Sequence, residues 1–401
     1  MAMMAGKPDN RPLIHVILLG IFKATFGLYT KLKCNVKMVK NQAYRTQGPY
    51  VLLANHTHNF DPVFIQYFWP RIICYVTNDT VWKLKWLRGL LDSIGFIPKK
   101  KMTTDSATVR GILTQVKNGR IIGIFPEGSR SWDGKTLPII ASTANLIKKL
   151  KLPVVTVKIE GAMMSGPRWA KAPRRGEIRL NPEMTLTTEQ IAGMSEEEIF
   201  AAITKSLQHD ESAFLAANPK LKYRSNAPAE YLELFLFACK DCGALAAMRS
   251  DKDTFSCSQC GSTYTYTRDA RLSRLSSDEI ISLPDWDKAQ ISALEKAMKA
   301  AAKKPDAVLF SDDDVVQYEY IRLEPLKPMG TGRLSMTAGA MIFEPVDGEK
   351  RIYPANAVTS VNIQSNKQLE FTVQDRTYRF FFKPRVSPYK WECALNMGKS
   401  L

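Results

Sequence analysis

No stretch of the chain reaches the roughly 20 uninterrupted apolar residues that a membrane-spanning helix needs. Mean hydropathy is −0.20, and a polytopic membrane protein is not expected. Repeats and low-complexity tracts are absent, which removes collagen-like and coiled-coil architectures. Cysteine is sparse, seven residues in 401, so a small disulfide scaffold is excluded as well. Acidic residues are scarce at one end. Residues 1–180 hold 9 Asp/Glu against 29 Lys/Arg, whereas residues 181–401 hold 30 against 27. The net charge of +17 therefore sits in the first half, which is built to face something anionic: phospholipid headgroups, phosphorylated substrates or nucleic acid. What is present is ordinary for a globular chain, with 45% hydrophobic and 24% charged residues. That is enough apolar surface to offset ordering entropy, so disorder is excluded as the main state. The length suggests two or three domains.

No cleavable secretory signal is expected. Met1 to Arg11 is polar, and the apolar stretch after it lacks a small-residue cleavage site before the basic run at Lys31. Pro12 to Tyr29 is apolar but interrupted by His15 and Lys23, and Lys31, Lys33, Lys37 and Lys40 follow. An apolar face beside a basic one favours a helix lying in a bilayer surface. The competing reading is a helix packed on its own domain.

From Tyr50 the pattern becomes α/β. Val51–Asn55 and Pro153–Ile159 read as buried strands, Arg71–Thr77 as another strand, and Ile121–Gly128 as a strand running into a turn. Helical patterns at Pro62–Phe68, Ser106–Asn118 and Leu137–Leu150 alternate with them. That alternation predicts a mixed or parallel sheet covered by helices on both faces. Ser195 with Glu198 is a capping box opening a helix through Gln208. A helix is expected at Asp287–Lys303, ended by Lys304-Pro305. The tail is strand-rich, at Arg333–Glu344, Arg351–Gln364, Gln368–Val373 and Thr377–Phe382, and a final helix over Ser387–Met397 carries Trp391. The expected division is an interfacial region at 1–34, an α/β domain at 35–210, a linker helix and cysteine segment at 211–270, a helical linker at 271–305 and a β-rich domain at 306–401.

Two constellations carry chemistry. Asn55-His56-Thr57-His58-Asn59-Phe60-Asp61-Pro62 follows a strand and opens a helix. A carboxylate five residues after a histidine, across such a turn, can accept from one ring nitrogen and leave the other to take a proton from a hydroxyl. Histidine has the right pKa range for this near neutrality. The plainer reading is a helix cap. Phe125-Pro126-Glu127-Gly128-Ser129-Arg130 sits where a later strand ends. Gly128 permits an unusual backbone angle, and Arg130 can fork onto a phosphate. The plainer reading is a turn with a surface ion pair.

Together these motifs resemble those of the glycerolipid acyltransferase family, of the 1-acylglycerol-3-phosphate acyltransferase type, over roughly residues 35–210. Gly95-Phe96-Ile97-Pro98-Lys99 stands where the second family motif belongs, and Leu152-Pro153-Val154-Val155-Thr156-Val157 where the fourth belongs. The resemblance implies a membrane-associated enzyme that moves a fatty acyl group from acyl-CoA or acyl-carrier protein to the sn-2 hydroxyl of 1-acylglycerol 3-phosphate. His56 would be the general base and Asp61 its orienter. Glu127, Gly128, Ser129 and Arg130 would bind the acceptor, and no catalytic metal or organic cofactor is implied. The chain departs from the pattern at two places. Lys99, Lys100 and Lys101 follow Pro98 where an arginine is usual, and Thr156 stands where a second proline is common. Lysine binds phosphate as a point charge rather than bidentately, so Lys99 and Lys100 leave the acceptor's identity open. His58 has the wrong spacing to Asp61 and reads as a bystander.

Cys239-x2-Cys242 and Cys257-x2-Cys260 are separated by fourteen residues, each pair followed by glycine. Two such knuckles can close on one zinc. Four thiolates leave no open coordination position, so the expected role is structural. The local charge is not strongly basic, which disfavours nucleic acid as a partner. Trp82, Lys83, Lys85, Trp86, Arg88, Lys99–Lys101, Arg168, Trp169, Lys171, Arg174 and Arg175 mix tryptophan with cations, as headgroup-facing surfaces do. The expected location is the cytoplasmic face of a membrane, peripheral or monotopic. The tail loosely resembles pleckstrin-homology or GRAM-like domains, which would imply lipid or protein docking. The rival readings are an acyltransferase for another lysophospholipid or glycerophosphate acceptor, a non-catalytic lipid-surface adaptor, and a zinc-ribbon nucleic-acid binder.

Overall fold

The computed structural model describes residues 13–83, 85–99, 106–304, 306–321 and 324–400. The expectations for Met1–Pro12, Lys100 and Lys101 fall outside the described residues, as do those for the side chains of Lys83, Lys85 and Trp86. The chain divides into two compact units, residues 1–168 with 172–224 and residues 225–401 with 169–171.

The first unit is built on seven strands: β1 (Asn35–Met38), β2 (Val51–Ala54), β3 (Ile73–Asn78), β4 (Ile97–Lys99), β5 (Ile121–Ile124), β6 (Val154–Glu160) and β7 (Glu177–Leu186). Their order is β1-β7-β6-β2-β5-β3-β4. β6, β2, β5, β3 and β4 run parallel, and β7 joins β6 antiparallel. β2 is buried at every residue, as a central parallel strand covered on both faces must be. Leu52 and Ala54 point into a core with Phe64, Ile65 and Trp69, while Val51 and Leu53 pack with Ile147, Ile199 and Ile203. The mixed α/β sheet flanked by helices is thus observed.

Topology fixes where a site can lie. From β2 the chain passes through α2 (Asp61–Phe68) to β3 on one side, and from β5 through the helix Ser142–Leu150 to β6 on the other. Neighbouring strands whose connections leave in opposite directions open a crevice at their carboxyl ends. The segments at that crevice are Asn55–Phe60 and Phe125–Arg130.

The helix α1 (Leu13–Lys33) precedes the sheet. One edge is held by His15, whose Nε2 lies 3.0 Å from the Ser93 carbonyl oxygen, and by buried Thr30. Leu13, Val16, Ile17, Ile21 and Phe26 are exposed, Leu13 by 74%. The helix is thus anchored on its own domain along one edge and presents an apolar face along another.

The first unit extends past the expected limit at 210. The helix Glu211–Ala217 belongs to it, because the buried Glu211 carboxylate accepts from Gly161 N (3.1 Å) and Met164 N (3.3 Å). Tyr223 donates to the Glu177 carbonyl at 2.6 Å.

The second unit holds two antiparallel sheets. One comprises β8 (Met248–Asp251), β9 (Thr254–Cys257), β10 (Thr263–Tyr266), β11 (Arg271–Arg274) and β12 (Ile280–Ser282), ordered β12-β11-β10-β9-β8. The other comprises β13 (Phe310–Tyr320), β14 (Lys327–Met336), β15 (Ala340–Pro345), β16 (Arg351–Pro354), β17 (Val358–Gln364), β18 (Gln368–Val373) and β19 (Arg376–Phe381), ordered β16-β15-β14-β13-β19-β18-β17. The helix Pro388–Gly398 closes the unit, capped by Ser387 and burying Trp391. Residues 271–305 are not a helical linker. Their first part is β11 and β12, and the helix Leu283–Ala302 buries Leu294 and Met298 in one core with Phe237, Leu334, Phe371 and Trp391. Gln290 fixes it further by accepting from Phe237 N at 2.8 Å and donating to the Phe235 carbonyl at 3.1 Å.

Candidate active site and cysteine cluster

The segment after β2 is tied down before any chemistry is considered. Asn55 is fully buried. Its amide donates to the Ile159 carbonyl (2.9 Å) and accepts from Ile159 N (2.7 Å), clasping the loop to β6. His56 then turns its ring toward the start of α2, where Nδ1 lies 2.9 Å from Asp61 Oδ2. The same oxygen accepts from Thr57 N (2.9 Å) and His58 N (2.8 Å). Asp61 is fully buried while the His56 side chain is 21% exposed. The Asp61 carboxylate is therefore fixed by two backbone donors, and the His56 ring is held at the crevice mouth. The His56 ring also packs on Phe125, centroids 4.4 Å apart, so a residue of the second constellation walls the imidazole of the first.

Glu127 joins the two constellations directly. Its Oε1 accepts from His56 N and its Oε2 from Leu137 N, both at 2.6 Å. Burial lifts its pKa to about 8, against the pull of those two backbone donors. Both carboxyl oxygens are engaged with backbone, so Glu127 holds the His56 loop in place. Gly128 has φ of +69°, and Ser129 is half-buried in the same turn. Arg130 feels Asp61 as its favourable charge, but burial pulls its pKa down to about 10. Ser131 N donates to the His56 carbonyl at 3.0 Å, a second bridge between the loops.

Lys99 ends β4 at the same edge of the sheet. It lies three strand positions from β2, about 14 Å at ordinary strand spacing. The structure thus brings together His56, Asp61, Glu127 and the Arg130 turn and sets Lys99 at the flank. Asn55 belongs to the first constellation, but its clasp to Ile159 is a long-range contact with no local signature.

His58 sits apart from the dyad, its Nδ1 accepting from Phe60 N at 3.0 Å. Burial, helped by Arg130 and His56 and opposed by Asp61, lowers its pKa from 6.5 to about 4. A histidine depressed in the fold supplies stability that is fully present above pH 6.5 and is lost as pH falls toward 4. The shift corresponds to about 3 kcal/mol. Chemical denaturation of His58→Asn at pH 7 and pH 4.5 is expected to show that this part of the acid sensitivity has gone; an unchanged pH dependence would assign it elsewhere.

In the second unit the four knuckle cysteines converge. Their sulfurs all lie within 4.8 Å of one another, with Cys239–Cys260 at 3.7 Å and Cys242–Cys257 at 3.8 Å. A tetrahedron with metal–sulfur bonds of about 2.3 Å has edges of about 3.8 Å, so the cluster fits a metal ion. Gly243 and Gly261 have φ of +72° and +75°. Their amides donate to the carbonyls of Cys239 and Cys257 at 2.9 and 3.0 Å. The two knuckles are the same turn used twice.

Residues 35–160 match the model of the family described as Acyltransferase. Within it, the similar proteins are of the 1-acyl-sn-glycerol-3-phosphate acyltransferase type. The Bacillus subtilis protein of that name is 23% identical over 177 residues, 44% of this chain and 86% of its own length. A Caenorhabditis elegans protein given the same type of name, acl-1, is 30% identical over 159 residues, 37% of this chain and 56% of its own. The Saccharomyces cerevisiae 1-acyl-sn-glycerol-3-phosphate acyltransferase is 26% identical over 145 residues, 35% of this chain and 45% of its own. The match thus spans about half the length of the worm and yeast relatives. Among solved structures, the Thermotoga maritima 1-acyl-sn-glycerophosphate acyltransferase PlsC aligns with a TM-score of 0.43 at 19% identity, over 48% of this chain and 78% of its own.

Proposed function

We infer that the first unit transfers a fatty acyl group from acyl-CoA or acyl-carrier protein to the sn-2 hydroxyl of 1-acylglycerol 3-phosphate. The observation that carries this reading is the His56 Nδ1–Asp61 contact set against the Phe125–Arg130 turn. With Nδ1 committed to Asp61, proton uptake falls to Nε2. Nε2 takes the proton of the acceptor hydroxyl as its oxygen attacks the thioester carbonyl. The carbon–sulfur bond breaks, the thiolate takes the proton back from the imidazolium, and ester and thiol leave. No acyl-enzyme is formed. Arg130 supplies the cation for the acceptor phosphate, and the site's main contributions are positioning and proton removal.

The substrate would be presented at a membrane. The exposed apolar residues of α1 and the cationic excess of residues 1–180 support docking on an anionic bilayer surface. Among the described residues no helix is long and apolar enough to cross a membrane. Cys239, Cys242, Cys257 and Cys260 would hold one zinc whose role is to fix the knuckles. The strand order of β13–β19 with its closing helix supports a pleckstrin-homology or GRAM-like assignment for the tail.

The test is turnover by the purified full chain. Acyl-CoA, lysophosphatidic acid in anionic vesicles and a thiol reagent are expected to give thiol and phosphatidic acid in equal amounts. Metal analysis of the same sample should give one zinc per chain. Thiol release with another lysophospholipid and none with lysophosphatidic acid would move the acceptor. No release with any acceptor would leave the adaptor reading.

A further inference from the structure

Downstream of the matched region, the segment Gly166-Pro167-Arg168 touches both loops of the site. A Cβ on Gly166 would stand 2.1 Å from His58 Nε2, so only glycine lets the backbone pass under the loop that carries His56. Two residues on, Arg168 is buried, 5% exposed. Its Nη1 donates to the carbonyl oxygen of Arg130 at 2.6 Å, and its guanidinium lies over the Trp132 ring at 4.3 Å. One cation thus grips the backbone of the residue assigned to the acceptor phosphate and the side chain two positions later.

We propose that Arg168 is a positioning residue for acceptor recognition: it clamps the Glu127–Trp132 turn so that Arg130 is presented to the phosphate of the acceptor. A buried guanidinium costs desolvation and persists where its donors are used. A charged donor on a carbonyl is among the stronger hydrogen bonds, about 1.5–3 kcal/mol. A planar guanidinium can bond to a carbonyl in its plane while its face rests on an indole, which an ammonium cannot reproduce. Arg168 grips the Arg130 carbonyl and the Trp132 ring, so its effect passes through Arg130. The proposal rests on the acyl-transfer reading above and extends it to a residue outside the motifs.

The experiment compares full-length wild type, Arg168→Met and Arg168→Lys. Steady-state thiol release is measured with lysophosphatidic acid and acyl-CoA varied in turn. Hydrogen exchange is followed over peptides covering residues 125–135. Loss of the clamp is expected to raise the acceptor KM about 10- to 100-fold, the range one such bond commands. The acyl-CoA KM should hold within about twofold, and Arg168→Lys should recover part of the loss. Exchange at 127–132 should quicken while the rest of the first unit is unchanged. Should Arg168→Met fail to fold, Arg168→Lys decides with the same readouts at smaller amplitude. Equal rises in both KM values, or unchanged KM values and unchanged exchange at 127–132, would overturn the proposal and leave the acyl-transfer reading intact. Absence of wild-type turnover would strike that reading instead, and the exchange data would still report whether Arg168 orders the turn.

Discussion

Replacing His56 by alanine is expected to lower kcat for thiol release by about 10²- to 10⁴-fold, the range that one positioned general base contributes. The fold should survive. The ring makes its polar contact to Asp61 from a partly exposed position, and the loop keeps its other ties: Asn55 to Ile159, His56 N to Glu127 and Ser131 N to the His56 carbonyl. Vesicle binding should be unchanged, because the exposed face of α1 is untouched. Turnover within about tenfold of wild type would show that another group removes the proton.

Asp61→Asn separates charge from geometry. Oδ2 accepts from His56, Thr57 and His58, whereas Oδ1 is buried without a hydrogen-bond partner. An asparagine can place its carbonyl oxygen at the Oδ2 position and keep all three bonds. Its amide then occupies the Oδ1 position and leaves buried donors unpaired, at about 1–3 kcal/mol of stability. What is lost besides is the negative charge that stabilises the imidazolium formed during attack. The expected result is a kcat reduced by up to about 10⁴-fold, the scale of the equivalent change in a hydrolase triad, with the acceptor KM altered much less. A KM effect alone would move Asp61 from base orientation to binding.

The site was legible in sequence where its chemistry is local. H-x4-D spans a strand end and a helix start, so the backbone itself brings His56 and Asp61 together. The C-x2-C knuckles converge for a similar reason, each pair making its own turn. The tail hairpin was readable from its alternation. β18 and β19 meet across Gln374-Asp375, both at positive φ, the backbone that tight hairpins demand. Other features were hidden by competing signals. β7 alternates buried and half-buried residues from Glu177, but Pro182 argues against a strand inside a sheet. The Arg333–Glu344 run is broken at Thr337–Gly339, and Pro354 ends β16 before β17 begins. The helix expected from Asp287 starts at Leu283, since Ser282 caps it and Pro284 suits its first turn. Arg168 and Glu127 illustrate the remaining limit. Their partners lie tens of residues away in sequence, and only the strand order of the sheet sets them side by side.

In the proposed reaction an acceptor hydroxyl attacks the thioester directly while His56 removes its proton. Rapid mixing of wild-type protein with acyl-CoA, with and without lysophosphatidic acid, tests it most directly. Thiol appearing only when the acceptor is present, in step with phosphatidic acid, is the predicted result. A burst of thiol equal to the enzyme concentration without acceptor would reveal an acyl-enzyme and contradict the account.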